Sequence, residues 1–273
     1  MLYTIDQIKT LKEQTFAHLL VEEKDHVLTL TLNRPDKKNA LNEVLFREIA
    51  YALEYAHYTP EVWVVVLQAN GDVFCAGADL KAFAGATSES ISTVPMPNGE
   101  IAIGNVFNYL HKPCIAKVHA PVYAGGFLLI CGCTHVVASN TAIFSLPEVK
   151  RGLWPFQVMQ SMLNIMPART IIDFCMRAKS LNAIEAEKIG LVSKAVDPAK
   201  LNEEVQALVD DILQYSPSAI RLGLEAFELL RSTPQSEAHN RMKQMLSLTI
   251  QTEDAAEGIA AFMEKRKPVW KGK

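Results

Sequence analysis

"HAPVYAGGFLLICGC" spans residues 119–133 and sets two glycines, Gly125 and Gly126, at the mouth of an uncharged apolar run. The stretch that leads into it, "CIAKVHA" (114–120), reads as a strand. A strand is thus followed by a small-residue turn and an apolar helix. Glycine lets the backbone come close to a neighbour or a ligand. The first turn of a helix presents N–H groups with no partner inside the helix, and these carry partial positive charge. A second small-residue turn, "FCAGADL" (74–80), follows the β-rich run "VWVVVLQA" (62–69). Two N–H groups aimed at one point form an oxyanion hole, worth about 3 kcal/mol in a dry site. The same small residues equally suit tight turns that hold no ligand.

Outward from these turns, strand and helix signals alternate. In "HVLTLTL" (26–32), Leu28, Leu30 and Leu32 share one face, and Val27, Thr29 and Thr31 share the other. That is a half-buried strand. "NRPDKKNALN" (33–42) is a turn-rich loop, and Asn42 can cap a helix over 43–57 built on Leu45, Ile49, Leu53 and Ala56. The run at 62–69 is almost wholly apolar, as in a strand buried on both faces, and "HVVAS" (135–139) reads as another. Such alternation predicts an α/β core. Residues 84–104, rich in Ser, Gly, Thr and Pro, read as a long loop. Beyond residue 160 the pattern turns helical. Asn182 and Glu185 have capping-box spacing, and Gly190 suits a helix stop. Residues 201–264 read as two or three amphipathic helices. The expected division is a core over 1–200, its first ~20 residues peripheral, and a C-terminal helical region over 201–273.

Composition narrows the class. A chain of 273 residues, 49% of them hydrophobic, can bury a substantial core. A net charge of −3 argues against a general nucleic-acid or membrane-surface binder. The start, "MLYTIDQIKTLKEQTF", mixes acids with bases and lacks the apolar core of a signal peptide. No apolar run approaches the length of a membrane span. The five cysteines are odd in number and lie in apolar surroundings, which fits a reduced, cytoplasmic compartment. Cys131 and Cys133 form C-G-C, but no second pair follows at zinc spacing, so no metal site is expected.

Six segments recur in a known order: "LTLNRPDKKNALN", "VFCAGADL", "HKPCIAKVHAPVYAGGFLLICGC", "FSLPEVKRGL", "AEKIGLVSKAV" and "FMEKRKPVW". In these the chain resembles the crotonase superfamily, the enoyl-CoA hydratases and isomerases, over roughly residues 20–273. The resemblance implies repeated ββα units wound into a right-handed spiral. C-terminal helices would pack on a neighbouring subunit, in a homotrimer or a dimer of trimers. It implies an acyl-CoA thioester as substrate and a place in fatty acid metabolism. Ala78 and Gly125 would polarise the thioester carbonyl through their amides, with Ala76, Gly77, Asp79, Leu80 and Gly126 around the substrate. Asp79 also reads as a turn or helix-cap residue. Lys38, Asn39 and Ala40 would lie against the CoA adenine, and Phe262 and Lys265 against the CoA of an adjacent subunit. The final "EKRKPVWKGK" otherwise reads as a solvated basic tail. No cofactor is implied beyond the CoA that the substrate carries. The physics suits such chemistry. Proton transfer next to a thioester builds charge on the carbonyl oxygen, which fixed amide dipoles stabilise. The long CoA handle supplies binding energy far from the reaction.

One position departs from the family pattern. Hydratases of this superfamily use two glutamates. The second is present as Glu148 in "FSLPEVKRG", but the first falls on Leu128, which cannot carry a proton. Moving a double bond needs only one base, so enoyl-CoA isomerisation by Glu148 is expected. Leu146, Val149 and Leu153 flank Glu148 and would raise its pKa by desolvation, whereas Lys150 and Arg151 would oppose this if they pointed inward. Bulky Trp154, Phe156, Gln157 and Met159 replace a glycine-rich helix start and would reshape the acyl pocket beside Leu128. Alternatives stay open. One is a hydratase with a replacement acid such as His119, His135, Tyr123, Glu89 or Glu100. Another is a decarboxylase or hydrolase of a branched or carrier-bound acyl group. A non-catalytic CoA-thioester-binding or assembly subunit is the third.

Overall fold

The computed structural model describes residues 1–83 and 90–273. Its strands are β1 (Leu19–Lys24), β2 (Val27–Leu32), β3 (Val64–Ala69), β4 (Cys114–Val118), β5 (Val122–Tyr123), β6 (His135–Ser139), β7 (Ile143–Ser145), β8 (Ser180–Asn182) and β9 (Lys194–Val196). The helices begin with α1 (Ile5–Lys9), α2 (Glu43–Tyr58), α3 (Leu80–Phe83), α4 (Ile103–Asn108), α5 (Phe127–Gly132) and α6 (Phe156–Met162). They continue with α7 (Ala168–Arg177), α8 (Ala183–Lys188), α9 (Leu201–Leu213), α10 (Pro217–Ser232), α11 (Gln235–Ile250) and α12 (Glu253–Glu264).

Parallel strands need crossover connections, and helices supply them here. The main sheet runs β1-β2-β3-β4-β6-β9; only β1 is antiparallel to its neighbour. The alternation of side chains along β3 divides the core into two layers. Val65 and Leu67 join Leu45, Ile49 and Leu53 of α2 and Leu129 and Ile130 of α5. Val64 and Val66 face the other way, with Ile115, Val137 and the α9 residues Val205 and Val209. The helix expected to open a separate C-terminal region at 201 is therefore a layer of the core, and the more exposed helices begin with α10. A smaller sheet, β5-β7-β8, stands apart from the first. Its strands are too short for a periodic signal in the sequence, as is α4, which falls at the end of the presumed long loop.

Four helices, not two or three, follow residue 200. Ser216, Pro234 and Thr252 stand at the breaks, with Ser216 and Thr252 capping the next helix through their side chains. The basic tail is not freely solvated. Buried Asp254 accepts N–H bonds from Lys271 and Gly272, and Trp270 donates to Gln214 O. The expected capping box at Asn182 and Glu185 is formed, and Gly190 takes φ 82°.

The N-terminal segment is not peripheral. Tyr3, Ile8 and Leu11 are buried in the main core. Glu54 of α2 accepts from Leu2 N (2.6 Å) and Tyr3 N (3.1 Å). Glu48 of α2, wholly buried, accepts from Ala17 N (2.6 Å) and His18 N (2.9 Å). Tyr3, Ile8 and Leu11 stand among charged and polar residues, so the sequence does not show this. All five cysteines are free. Among the described residues no helix is long and apolar enough to cross a membrane, and no three His, Cys, Asp or Glu side chains cluster as metal ligands. Glu48→Ala leaves two backbone N–H groups without their acceptor. It should cost about 2–4 kcal/mol, read as a lower urea midpoint, whereas Glu48→Gln, which keeps one acceptor, should cost less.

Candidate active site

Three stretches of chain lie side by side in parallel register. Cys75 pairs with Val122, and Val122 pairs in turn with Phe144. Tyr123 N–H donates to Cys75 O (2.9 Å) and Phe74 N–H to Pro121 O (3.0 Å). Parallel segments leave a ladder at the same end. Ala78 follows Cys75 by three residues, Gly125 follows Val122 by three, and Glu148 follows Phe144 by four. Each of the three expected catalytic residues thus follows the same end of this ladder.

At the first turn, Leu41 N–H donates to Gly77 O (2.8 Å) and Asp79 N–H to Leu41 O (2.9 Å). Successive amides of an extended chain point to opposite sides, so the Ala78 N–H is directed away from Leu41, toward the second turn. Among the described residues it has no backbone acceptor. Gly77 is obligatory for two reasons. Its φ is +88°, and an added Cβ would lie 2.8 Å from Gly125 N and 2.6 Å from the Ala124 methyl. The second turn is made by Ala124, which takes φ 49°, a left-handed value that costs a non-glycine residue about 1–2 kcal/mol. Gly125 then lies in the first turn leading into α5, where N–H groups lack intrahelical partners. A Cβ at Gly125 would sit 3.4 Å from Ala78 N, in ordinary contact. The two free amides are therefore neighbours.

Two expected ligand contacts are corrected. Gly126 is buried, and a Cβ there would approach Cys75 Cβ to 2.9 Å and Cys75 O to 3.0 Å. It is required for packing between the turns, not for a ligand. Asn39 is also wholly buried. Its amide donates to Asn70 O and Val73 O, and its oxygen accepts from Arg34 N. Its backbone N–H goes to Arg34 O and its carbonyl accepts from the Cys75 thiol. Asn39 shapes the loop that presents Lys38, whose side chain is exposed and whose φ is 52°. The backbone of Ala40 is likewise engaged, its N–H with Lys37 O and its carbonyl with Arg34. Ala76 N–H donates to Lys38 O, while Ala78 and Leu80 are exposed.

Arg34 fastens this loop to the first turn. Its guanidinium bonds Asp79 Oδ2 at 2.7 Å and Ala40 O at 3.0 Å, with both side chains largely covered. Asp79 Oδ1 also lies 3.4 Å from Ala82 N, the cap contact expected of it. Neither Arg34 nor Leu41 stood out in the sequence, because the turn residues they bond, Asp79 and Gly77, lie tens of residues away. Ala124 carried no signal either, since alanine gives no hint of a left-handed φ.

Glu148 opens a short 3-10 turn that Gly152 ends at φ 73°. It is half-buried; its Oε2 is sealed from solvent and has no hydrogen-bond partner among the described residues. Burial raises its pKa above the ordinary glutamate value, opposed by a bond from its own N–H and by the Arg151 charge. Lys150 and Arg151 are exposed and point outward. Burial and the nearby Glu148 charge push the Cys175 thiol of α7 up to about 11. Leu128 on α5 is buried in the main core. Trp154 packs against that core with Nε1 3.4 Å from Met159 Sδ, whereas Phe156 and Gln157 are exposed.

Three of the proposed substitute acids have other neighbours. His119 Nε2 is bonded to Gly71 O (2.7 Å), and His135 to Thr134 Oγ1 (3.1 Å). Glu100 borders a separate hollow of about 340 Å³ with Leu2, Glu54 and His57. Tyr123 is fixed through its backbone N–H to Cys75 O, and Glu89 lies outside the described residues. Phe262 is 85% exposed on α12, and Lys265 ends that helix at φ 55°.

A family profile described as enoyl-CoA hydratase/isomerase matches residues 22–273. The chain belongs to this family. A probable enoyl-CoA hydratase of Mycobacterium tuberculosis is 31% identical over 255 residues, covering 93% of this chain and 98% of the relative. The carnitinyl-CoA dehydratase of Escherichia coli K12 is 31% identical over 253 residues, covering 90% and 95%. The crystal structure of an enoyl-CoA hydratase from M. tuberculosis H37Rv superposes with a TM-score of 0.83 at 29% identity, covering 94% of this chain and all of that one. The α/β fold is thus the crotonase fold with a C-terminal helical region, and the family's substrates are acyl-CoA thioesters.

The two glycines of the second turn should separate on substitution. Gly126→Ala must displace Cys75 or Val122 and should cost about 1–3 kcal/mol of stability. Gly125→Ala meets only ordinary contacts and should leave the thermal midpoint nearly unchanged, yet its methyl lies over the Ala78 amide and should sharply weaken acyl-CoA turnover.

Proposed function

We propose that this member of the enoyl-CoA hydratase/isomerase family moves a double bond along the acyl chain of an enoyl-CoA. Glu148 is its single proton carrier. The carboxylate takes a proton from C2 of a 3-enoyl thioester, and the electron pair spreads onto the thioester oxygen. The Ala78 and Gly125 amides stabilise that oxygen. Glu148 then returns the proton to C4, leaving the 2-enoyl product. One observation carries this reading: a buried Glu148 oxygen with no partner among the described residues, in a chain whose other family acid position is Leu128. Desolvation makes the carboxylate a stronger base and holds its pKa nearer neutrality.

Hydration is the competing reading, supported by relatives that bear the names hydratase and dehydratase. It requires a second group to position or protonate, and Leu128 cannot serve. Lys38 is proposed to meet the CoA adenine, with Phe262 and Lys265 meeting the CoA of an adjacent subunit. Exposed Phe227, Leu246, Ile250, Ile259 and Phe262 on the C-terminal helices support assembly as a trimer or dimer of trimers. No cofactor is needed for this reaction besides the CoA of the substrate.

Purified protein given 3-enoyl-CoA should yield 2-enoyl-CoA, identified by double-bond position, with no 3-hydroxyacyl product. Hydration of 2-enoyl-CoA by the unaltered chain would overturn the proposal. Glu148→Gln should lower kcat by roughly 10²–10⁴-fold. Leu128→Glu should introduce hydration of 2-enoyl-CoA.

The acid limb of kcat/KM should fall at a higher pH than an ordinary glutamate would give, because the base is lost as pH drops through its raised pKa. Stability runs the other way. A carboxyl whose folded pKa is raised contributes fully below its unfolded pKa and loses that contribution as pH rises through the folded value. Glu148→Gln should therefore raise the thermal midpoint at neutral pH and not in acid.

A further inference from the structure

The Ala78 amide stands at the end of a series of hydrogen bonds that starts on a cation. Arg34 Nη1 donates to Ala40 O (3.0 Å). The Ala40 carbonyl belongs to the same peptide as the Leu41 N–H, which donates to Gly77 O (2.8 Å). The Gly77 carbonyl belongs in turn to the same peptide as the Ala78 N–H. Both peptides are trans. In a planar trans peptide the C=O and N–H point in opposite directions. Each peptide therefore accepts a bond on one side and presents its N–H on the other. The last N–H in the series is the amide aimed at the second turn.

The head of the series is fixed in place. Arg34 N–H donates to Asn39 Oδ1 (2.8 Å), and its carbonyl accepts from Asn39 N–H (2.9 Å). The same Nη1 donates to Asp79 Oδ2 (2.7 Å). Asp79 N–H donates to Leu41 O (2.9 Å), so Leu41 is bonded to the chain on both sides of Ala78. The Arg34 and Asp79 side chains are only 11% and 15% exposed, so water and salt screen the guanidinium weakly. Hydrogen bonds in series polarise one another, and a charged donor makes a stronger bond than a neutral one.

We infer that Arg34 is a positioning residue for the oxyanion hole. It sets the direction of the Ala78 N–H and strengthens it as a donor, acting through the Ala40–Leu41 and Gly77–Ala78 peptides. The inference rests on the acyl-CoA reading above. The two amides of the hole then draw on different sources. Gly125 takes its donor strength from the first turn leading into α5, and Ala78 takes its own from Arg34.

The test uses Arg34→Met, which removes the donor, and Arg34→Lys, which keeps a charged one. Arg34→Met/Asp79→Asn also removes the carboxylate that the single change leaves unpaired. Thermal midpoints establish that each variant is folded. The readouts are kcat and KM for 3-enoyl-CoA and the infrared carbonyl stretch of a bound saturated acyl-CoA with an isotopically labelled thioester carbonyl. Arg34→Met should lower kcat about tenfold with KM within about twofold, and should move the bound carbonyl stretch toward that of the free ester. Arg34→Lys should recover part of both effects. If Arg34→Met does not fold, the double variant and Arg34→Lys give the same readouts, with the double variant showing the larger change. A fall in kcat with an unmoved carbonyl stretch would make Arg34 merely structural and overturn the inference, as would a change in KM alone. If the unaltered chain isomerises nothing while the Arg34 changes still move the stretch of the bound ester, the proposed reaction fails and the relay stands. If the chain binds no acyl-CoA, both fail.

Discussion

The parallel register that joins Cys75, Val122 and Phe144 is the constraint on which the site depends. Ala78, Gly125 and Glu148 come from stretches far apart in the chain. Each follows the same end of three backbones that run side by side. Small residues make that possible. Gly77 and Gly126 have no room for a Cβ, since one would strike Ala124 and the other Cys75. The adjacency of two free amides is thus a packing result before it is a chemical one.

Charge is distributed around this edge with the same economy. Both amide dipoles are fixed by backbone bonds made elsewhere, so they require no reorganisation when charge develops nearby. Arg34 ties the loop bearing Lys38 to Asp79, directly after the Ala78 amide. Glu148 has a sealed oxygen without a partner among the described residues, an arrangement that costs stability in the ionised form and that a purely structural carboxylate would avoid. Glu48 and Glu54 show the contrast. Each is satisfied by two backbone amides and serves to hold the N-terminal segment.

Much of the fold could be read along the chain. Periodicity found β2, β3, β4, β6 and α2 nearly to their ends, because each makes a run long enough to show its spacing. β5, β7 and β8 run to two or three residues and α4 to less than two helical turns, so they left no such trace. The helix at Leu201 was visible, but its amphipathic face could not say which surface it covers; Val205 and Val209 lie on the main sheet. The burial of Tyr3, Ile8 and Leu11 was equally hidden, since it depends on partners in α2.

At the site, residue identity and local pattern specified the small turns, the carboxylate at Glu148 and the absence of one at Leu128. Those are properties of single positions and their immediate neighbours. Tertiary structure alone separated Gly125 from Gly126, turned Asn39 from a ligand contact into a loop anchor, and sealed Glu148 Oε2 from solvent. Each of these outcomes depends on which distant atom occupies the adjoining space. Backbone registers and packed surfaces decide that, and no local stretch of sequence encodes it.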